Sequence, residues 1–171
     1  MRSSPDKKTW TYRGTVTPDI PAWVKTAVPG VINLWAPDLS RHNGRWYLYY
    51  AASTFGPNHS IIGLMTNPTL DPANTTYRWT DRGLVIESQT TDDHNAIDPS
   101  LSVDAQGRAW LAYGSSWSGT EMTQIFLPSG KPATSHPTPI DLVDRHVPPN
   151  AVEGAYVLPH QGWYYVFASF D

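Results

Sequence analysis

The sequence contains no cysteine, which excludes disulfide bonds, thiolate metal ligands and a cysteine nucleophile. Charged residues make up only 16% of the 171 residues, the formal net charge is −3, and no run of like charge exceeds two residues. We therefore expect neither a nucleic-acid partner nor a polybasic membrane surface. The apolar stretches are also far shorter than the roughly 20 residues needed to cross a bilayer.

The length and the first residues limit the organisation of the chain. A length of 171 residues favours a single domain over 1–171. The residues from Met1 to Lys7 are polar and contain no apolar signal region, so secretion is not encoded in this stretch. The localisation is left open.

Aromatic residues, proline and glycine are abundant, with 8 Trp, 9 Tyr, 4 Phe, 16 Pro and 12 Gly. This mixture is typical of a β-protein with many turns and an aromatic-lined site. No window shows a helical period, and the proline-rich loops 17–30 and 129–150 are expected to be irregular.

An internal repeat occurs three times along the chain. Each copy begins with an acidic or aromatic residue, reaches a turn at Gly44, Gly107 or Gly162, and continues in an aromatic-rich strand. The Asn-Gly and Gln-Gly pairs at these turns indicate hairpins, because glycine adopts a positive φ without penalty. A repeat of about 60 residues with several short strands indicates a β-propeller blade.

We predict an all-β chain of about eleven strands, which forms a partial β-propeller of between two and three four-stranded blades. The last strand of a first blade (10–16) and a loop occupy 1–30, one blade occupies 31–90, a second occupies 91–150, and a further blade starts over 151–171. Strands are also predicted at 60–67, 77–86, 123–127 and 139–143. The alternative is a two-sheet sandwich, which accommodates these strands but does not explain the repeat.

The residues nine positions before the three turn glycines are Trp35, Asp98 and Glu153. Because the first strand of each propeller blade lines the central channel, we expect all three at one mouth. A carboxylic acid, a second carboxylate and an aromatic face are what sugar hydrolysis requires. The apolar neighbours of Glu153 favour its protonated form, and Asp98 is suited to orient it or tune its charge.

Simpler interpretations of these residues remain open. Asp-Pro commonly begins a turn, and a glutamate at the end of a strand is often only solvated. The spacing of the histidines predicts no metal cage. No Gly-x-Ser-x-Gly nucleophile elbow occurs, so a serine hydrolase is not expected.

Eight motifs, in order along the chain, resemble those of the family 43 glycoside hydrolases, specifically the endo-1,5-α-L-arabinanases. The motifs lie at 33–38, 46–50, 53–56, 62–64, 95–99, 114–119, 152–155 and 167–171. The resemblance implies a five-bladed propeller that hydrolyses α-1,5-linked L-arabinan or arabino-oligosaccharides with inversion. It implies Glu153 as the general acid and Asp98 as the residue that tunes and orients it. The substrate-binding positions that it implies are Trp35, Phe55, Gly56, Asn95, Ala96, Ile97, Ser115, Ser116 and Trp117.

The sequence departs from the family pattern at several points. The general base of the family is an aspartate in a His-Asp-Pro motif, which these 171 residues lack. We therefore expect slow hydrolysis or none from this chain alone, unless Asp38 or a carboxylate of a second copy acts as the base. The family's Ser-Phe-Trp is Ser115-Ser116-Trp117 here, which removes one aromatic side chain.

The resemblance also bears on cofactors, localisation and alternative functions. It implies a central calcium ion whose usual histidine ligand lies outside this chain, so no cofactor is assigned to these residues. The family is often secreted. Two non-enzymatic alternatives are a carbohydrate-binding propeller fragment and an assembly partner whose open blade edges pair with another copy.

Overall fold

The computed structural model describes residues 1–127, 129–135 and 137–170, so Asp171 of the motif 167–171 lies outside the described residues. The elements are β1 (Arg2–Ser3), β2 (Thr11–Tyr12), α1 (Ala22–Ala27), β3 (Trp35–His42), β4 (Arg45–Ala52), β5 (Ser60–Asn67), β6 (Thr80–Ser88), β7 (Ser100–Val103), β8 (Ala109–Tyr113), β9 (Thr120–Ile125), β10 (Ile140–Val143), β11 (Val152–His160) and β12 (Trp163–Phe170). They form antiparallel sheets in the orders β1-β2, β3-β4-β5-β6, β7-β8-β9-β10 and β11-β12. The chain is therefore all-β and built of blades, as the sequence predicts.

The three predicted glycine turns each close a hairpin, β3–β4, β7–β8 and β11–β12. Both central residues have positive φ in two of them, at 49° and 76° for Asn43-Gly44 and at 49° and 83° for Gln161-Gly162. Two successive positive φ values are characteristic of the type I′ turn, whose twist matches that of the flanking strands. In the β7–β8 hairpin only Gly107 is left-handed, and the Asp104 N–H donates to the Arg108 carbonyl at 2.9 Å.

Strand β5 is the most buried strand, and its bounds are those that the sequence predicts. Every one of its residues is buried, because β4 and β6 flank its edges and apolar side chains cover both of its faces. Gly63 is required there, since a Cβ atom would lie 2.5 Å from the hydroxyl of Tyr50 on the neighbouring strand. Such close approach of strand and side chain is one reason for glycine inside a strand.

Two apolar clusters hold successive sheets against each other. The larger includes Tyr49 and Leu64 of the β3–β6 sheet and Leu111 and Tyr113 of the β7–β10 sheet. A smaller cluster joins Ala112 of β8 to Ala155 and Val157 of β11. Strand β7 contacts both β3 and β11, so the first strands of three successive sheets are neighbours.

The N-terminal part differs from the sequence prediction in two respects. The loop 17–30 contains α1, a helix of 6 residues whose Val24 is fully buried in the cluster against β4 and β5. Its N-cap, Pro21, makes no side-chain cap, so tertiary packing rather than local propensity holds so short a helix. The strand predicted at 10–16 is confirmed only as the two-residue β2. Its partner β1 was not predicted and raises the strand count to twelve among the described residues.

The remaining predicted strands overlap observed ones with shifted bounds. The stretch 77–86 corresponds to β6, 123–127 to β9 and 139–143 to β10, with shifts of up to three residues. Within the described part of the chain, no helix has the length and apolarity that crossing a bilayer demands.

Two adjacent tyrosines of β4 provide a matched test of the packing. The Tyr49 hydroxyl donates a buried hydrogen bond of 2.9 Å to the Gly130 carbonyl oxygen, whereas the buried Tyr50 hydroxyl has no hydrogen-bond partner among the described residues. Tyr49→Phe is expected to lower the free energy of unfolding by about 1 kcal/mol, because the Gly130 carbonyl loses its partner. Tyr50→Phe is expected to leave it unchanged or raise it slightly. Urea unfolding measures both, and a larger loss in Tyr50→Phe would contradict the assignment.

Candidate active site

The first strands of three sheets converge on one cavity of about 390 Å³. Its lining consists of the segments 36–38, 98–100 and 154–156, one from each sheet. These segments begin at, or one residue after, the aligned positions Trp35, Asp98 and Glu153. The structure thus brings the three repeat-equivalent segments together, and Asp98 lines the cavity. Trp35 and Glu153 each lie one residue before the lining, so a shared mouth for all three side chains stays a prediction.

Backbone irregularities occur at the start of all three segments. The register of β3 against β4 shifts between Trp35 and Asp38, and that of β11 against β12 shifts between Glu153 and Tyr156. A bulge of this kind inserts an extra residue and re-aims the side chain that follows it. Asp98 has the equivalent place before β7 and is left-handed, with φ 54°, a region that aspartate tolerates better than most residues.

Asp98 is the carboxyl group whose pKa depends in part on the charge of Glu153. Burial raises the pKa of Asp98, the negative charge of Glu153 raises it further, and a hydrogen bond from the Gly154 N–H offsets part of the rise. An electrostatic effect of one carboxylate on the other requires that the two groups lie near each other. The two predicted catalytic residues therefore act on one another in this fold.

Glu153 is held by the end of the neighbouring sheet. The Ser115 hydroxyl donates to Glu153 Oε1 at 2.7 Å, and the two residues form an isolated antiparallel bridge. The Ser116 N–H donates to the Val152 carbonyl at 3.2 Å, next to this contact. Of the serines that the sequence places in the substrate site, Ser115 thus contacts the predicted acid directly.

Asp38 is a third carboxyl at the cavity, which the sequence indicated only as a substitute base. Burial raises its pKa from 3.8 to about 6, although the Leu101 N–H donates to Oδ2 at 3.3 Å. It lies three residues after Trp35, so regular strand alternation would place the two side chains on opposite faces. The register shift between them removes that alternation, and no sequence signal marks the shift apart from the Pro37 before Asp38.

Aromatic side chains stand at the edge of the site. The rings of Trp35 and Phe55 lie 5.0 Å apart between centroids, with an interplanar angle of 37°. Phe55 is 90% exposed, and the Trp35 Nε1 donates to Asn33 Oδ1 at 2.9 Å. Gly56 follows with φ 105°, a conformation that favours glycine. The pair offers an exposed aromatic surface to a ligand.

Trp117 lies on the loop between β8 and β9 and is 42% exposed. Ser116 and Trp117 both have positive φ, at 56° and 44°, and the Trp117 carbonyl accepts a hydrogen bond of 2.6 Å from the Asn150 side chain. Two left-handed residues in succession turn the Trp117 ring outward, where it lines a second cavity of about 310 Å³.

The three residues before Asp98 are buried, which limits what they offer to a sugar. Ala96 has no exposed surface, and Asn95 and Ile97 are only 5% and 8% exposed. Asn95 Oδ1 accepts a hydrogen bond of 2.7 Å from the Ser60 hydroxyl, and the Ile97 carbonyl accepts one of 2.9 Å from the Gly114 N–H. The segment holds Asp98 in place, and as placed the side chain of Ala96 cannot contact a sugar.

The cavity offers Asp38 and Asp98 as oxygen ligands for the central calcium ion that the resemblance implies. Calcium takes about six to eight oxygen ligands. Among the described residues, no group of three metal-ligating side chains includes either aspartate. The described side chains at this cavity therefore supply only part of a calcium shell, and the ion stays a prediction.

The sequence profile of the glycosyl hydrolases family 43 matches residues 1–171. The chain belongs to this family. It is 36% identical to an extracellular exo-α-(1→5)-L-arabinofuranosidase of Cellvibrio japonicus, covering 98% of this chain and 51% of that protein. It is 37% identical to an extracellular endo-α-(1→5)-L-arabinanase of Bacillus subtilis, covering 98% of this chain and 50% of that protein.

A solved structure of a Cellvibrio cellulosa α-L-arabinanase complexed with arabinohexaose gives a TM-score of 0.86 at 36% identity, covering 99% of this chain and 57% of that one. The chain spans about half the length of the curated relatives that it matches. Its sheets correspond to part of the five-bladed propeller of the family 43 arabinanases.

The raised pKa of Asp38 predicts how the stability of the fold changes with pH. Because its folded-state pKa is raised to about 6, the folded protein binds a proton more tightly than the unfolded chain, and stability falls as the pH rises from about 4 through 6. Asp38→Asn removes this loss, so the variant is expected to be more stable by about 1 kcal/mol at pH 8, after allowance for solvent screening. Below pH 4 the gain should vanish, because both states are then protonated.

Asp104→Asn is the control with the opposite sign. Burial opposes ionisation of this carboxyl, but hydrogen bonds from the Trp110 side chain and from Arg108 outweigh it and lower the pKa to about 2. The substitution should reduce stability at pH 8 and at pH 4 alike. Urea unfolding at both pH values gives the comparison, and a loss of stability in Asp38→Asn at pH 8 would contradict the burial assigned to that carboxyl.

Proposed function

We propose that this chain is the part of an arabinan-cleaving glycoside hydrolase that carries the general acid. The proposed reaction is hydrolysis of α-1,5-linked L-arabinan with inversion, with Glu153 as the acid and Asp98 as its positioning and charge-tuning partner. The observation that carries the proposal is the hydrogen bond from the Gly154 N–H to the Asp98 carboxyl, which places Asp98 close to Glu153 beside a cavity shared by three sheets. The names of the two curated relatives support the linkage, and the arabinohexaose complex of a neighbour supports the substrate class.

In the proposed mechanism Glu153 gives its proton to the glycosidic oxygen as the bond from the anomeric carbon to that oxygen breaks. Water attacks the anomeric carbon from the opposite face, and a second carboxylate accepts the proton that the water loses. Asp98 is the proposed positioning and tuning partner of this acid, and the hydrogen bond from the Ser115 hydroxyl fixes the direction of the Glu153 carboxyl. The family resemblance assigns the base to a His-Asp-Pro aspartate, which these 171 residues lack.

Substrate binding in this proposal relies on the exposed aromatic rings. The Trp35–Phe55 pair and Trp117 belong to different sheets, because Trp35 begins β3 and Phe55 follows β4, whereas Trp117 lies between β8 and β9. Aromatic faces pack against the C–H faces of sugars, and polar groups between them then fix the register of the chain. Arabinan is a chain of repeating units, so several separate aromatic contacts suit it.

The activity test uses a chimera, because the chain covers half of its relatives. We expect residues 1–171 alone to bind arabino-oligosaccharides weakly and to hydrolyse linear arabinan very slowly or not at all. Joined to the segments of the Bacillus subtilis relative that lie outside the matched region, they are expected to release reducing sugar. Glu153→Gln in the chimera should reduce the rate by about 10²- to 10⁴-fold, while Glu87→Gln, an exposed carboxyl of β6, should not. Full activity of Glu153→Gln would contradict the assigned role.

Asp98 is tested by a pH profile rather than by rate alone. Asp98→Asn keeps a side chain that tolerates positive φ but removes the charge next to Glu153. The pH profile of kcat/KM in the chimera is expected to change, because the substitution removes the charge to which the proposal assigns the tuning of the acid. Asp141→Asn, the same change at an exposed position of β10, should leave the profile in place. Proton NMR of the first product should show the β-anomer, and retention would overturn the inverting mechanism.

An assembly role is a second function that one observation favours. Tyr164 and Val166 of β12 line a cavity together with side chains of the β7–β10 sheet. Because side chains alternate along a strand, Trp163, Tyr165 and Phe167 occupy the opposite face of β12, where they are 71%, 47% and 58% exposed. Exposed apolar patches mark interaction surfaces. We expect residues 1–171 to self-associate through this face, with a mass by sedimentation that rises with concentration. Trp163→Asp should reduce the association, Phe126→Asp should not, and a monomer at every concentration would contradict it.

A further inference from the structure

Three metal-ligating side chains meet beside the active-site loop, at a place that the proposed reaction does not use. They are Asp93, His94 and Glu121, and one ligand atom from each lies within 4.8 Å of the other two. His94 Nδ1 is 3.6 Å from Asp93 Oδ1 and 4.0 Å from Glu121 Oε2. The spacing along the sequence did not indicate this group, because Glu121 reaches His94 only through the pairing of β9 with β8.

Glu121 has an unsatisfied atom that points into this cluster. The residue is 3% exposed, and its Oε1 accepts a hydrogen bond of 2.9 Å from the Ser118 hydroxyl. The other oxygen, Oε2, is buried and has no hydrogen-bond partner among the described residues, although the Tyr113 hydroxyl lies beside the same carboxyl. A buried carboxylate oxygen without a partner is costly, and a cation is one of the few groups that can satisfy it.

The cluster is also accessible and already shaped by its surroundings. The Asp93 side chain is 91% exposed and that of His94 is 18% exposed, so a cation can enter from the solvent side. The His94 ring packs edge-on against the Tyr113 ring at 6.1 Å, and the His94 carbonyl accepts a hydrogen bond of 2.9 Å from the Asn58 side chain. These contacts fix the direction of the imidazole before any ligand binds.

We propose that Asp93, His94 and Glu121 bind a Zn²⁺ ion. One imidazole nitrogen and two carboxylate oxygens are a donor set that zinc accepts, with a water in the fourth position. Calcium and magnesium prefer oxygen alone and are disfavoured by the imidazole. Tetrahedral zinc with bonds of about 2.0–2.1 Å separates its ligand atoms by about 3.4 Å, so the observed 3.6 and 4.0 Å require only a small contraction.

The position of the ion gives it a consequence for the active site. His94 lies four residues before Asp98, and Glu121 is the second residue of β9, which follows the loop that carries Ser115 and Trp117. That loop is already attached to the Asp93 segment, because the Ser118 N–H donates to the Asp93 carbonyl at 2.7 Å. Zinc would join the two segments by a second, stronger link and would hold Ser115 against Glu153.

The test is zinc binding to the 171-residue chain after treatment with a chelator. Isothermal titration with ZnCl₂ is expected to show one site, and a hundredfold excess over the Kd should raise the Tm by about 5 °C or more. CaCl₂ should not compete. His94→Gln and Glu121→Gln should each weaken zinc binding by at least about tenfold, because the loss of even an outer-shell partner of a metal ligand typically costs about 10- to 100-fold.

His59→Gln is the matched control, because His59 also contacts a carboxylate, Glu87 at 3.3 Å, but without a third ligand. It should bind zinc as the parent chain does. Circular dichroism establishes whether each variant is folded. If Glu121→Gln does not fold, His94→Gln alone decides the result. Absence of zinc binding by the folded parent, equal binding by His94→Gln, or equal loss in His59→Gln would each overturn the proposal.

Discussion

The contact between Ser115 and Glu153 fixes where the β7–β10 sheet meets the β11–β12 sheet, and the geometry of the site depends on it. The hydroxyl bond of 2.7 Å is accompanied by a backbone bond of 3.2 Å from Ser116 to Val152, whose side chain is fully buried. Ser115 itself follows Gly114, whose N–H is bonded to the Ile97 carbonyl beside Asp98. The predicted acid and its partner are therefore positioned by strand ends, which hold a geometry more tightly than mobile loops do.

Buried carboxyl groups at the cavity oppose the stability of the fold. Burial raises the pKa of both Asp38 and Asp98, which means that each is less favourable as an ion in the folded protein than in water. Single backbone N–H groups, of Leu101 and of Gly154, compensate only in part. Groups that reduce stability and converge on one cavity are characteristic of a functional site rather than of a structural core.

Features of the fold that depend on local chemistry were predictable from the sequence. The turn glycines predicted the hairpins, because a positive φ is a local requirement. The apolar run of β5 predicted the bounds of that strand, because both of its faces are covered. The six-residue helix α1 was not predictable, since it is shorter than any window that reveals a helical period and exists through packing of Val24.

The candidate site was predictable only where it follows the repeat. The common offset from the turn glycines singled out Asp98 and Glu153 as candidates. The position of Asp38 at the cavity depends on a register shift, which the alternation of side chains along a regular strand does not predict. The burial of Ala96 was likewise hidden, because a motif shows which residues recur and not which of them reach the surface. The Asp93–His94–Glu121 cluster depends wholly on strand pairing, so spacing along the sequence could not reveal it.

The same burial that reduces stability is useful for the proposed reaction. Cleavage of a glycosidic bond passes through a transition state with positive charge on the sugar ring, and fixed negative charges in a cavity of low polarity stabilise it. Asp38 of β3 and Asp98, two residues before β7, both line that cavity. Because both are buried, they are stronger hydrogen-bond acceptors when ionised than exposed carboxylates are. The free-energy cost of a buried carboxylate is offset only when a positive charge lies beside it. On the proposed function, that positive charge exists in the transition state and not in the neutral arabinan, so the cavity would bind the former more tightly than the latter.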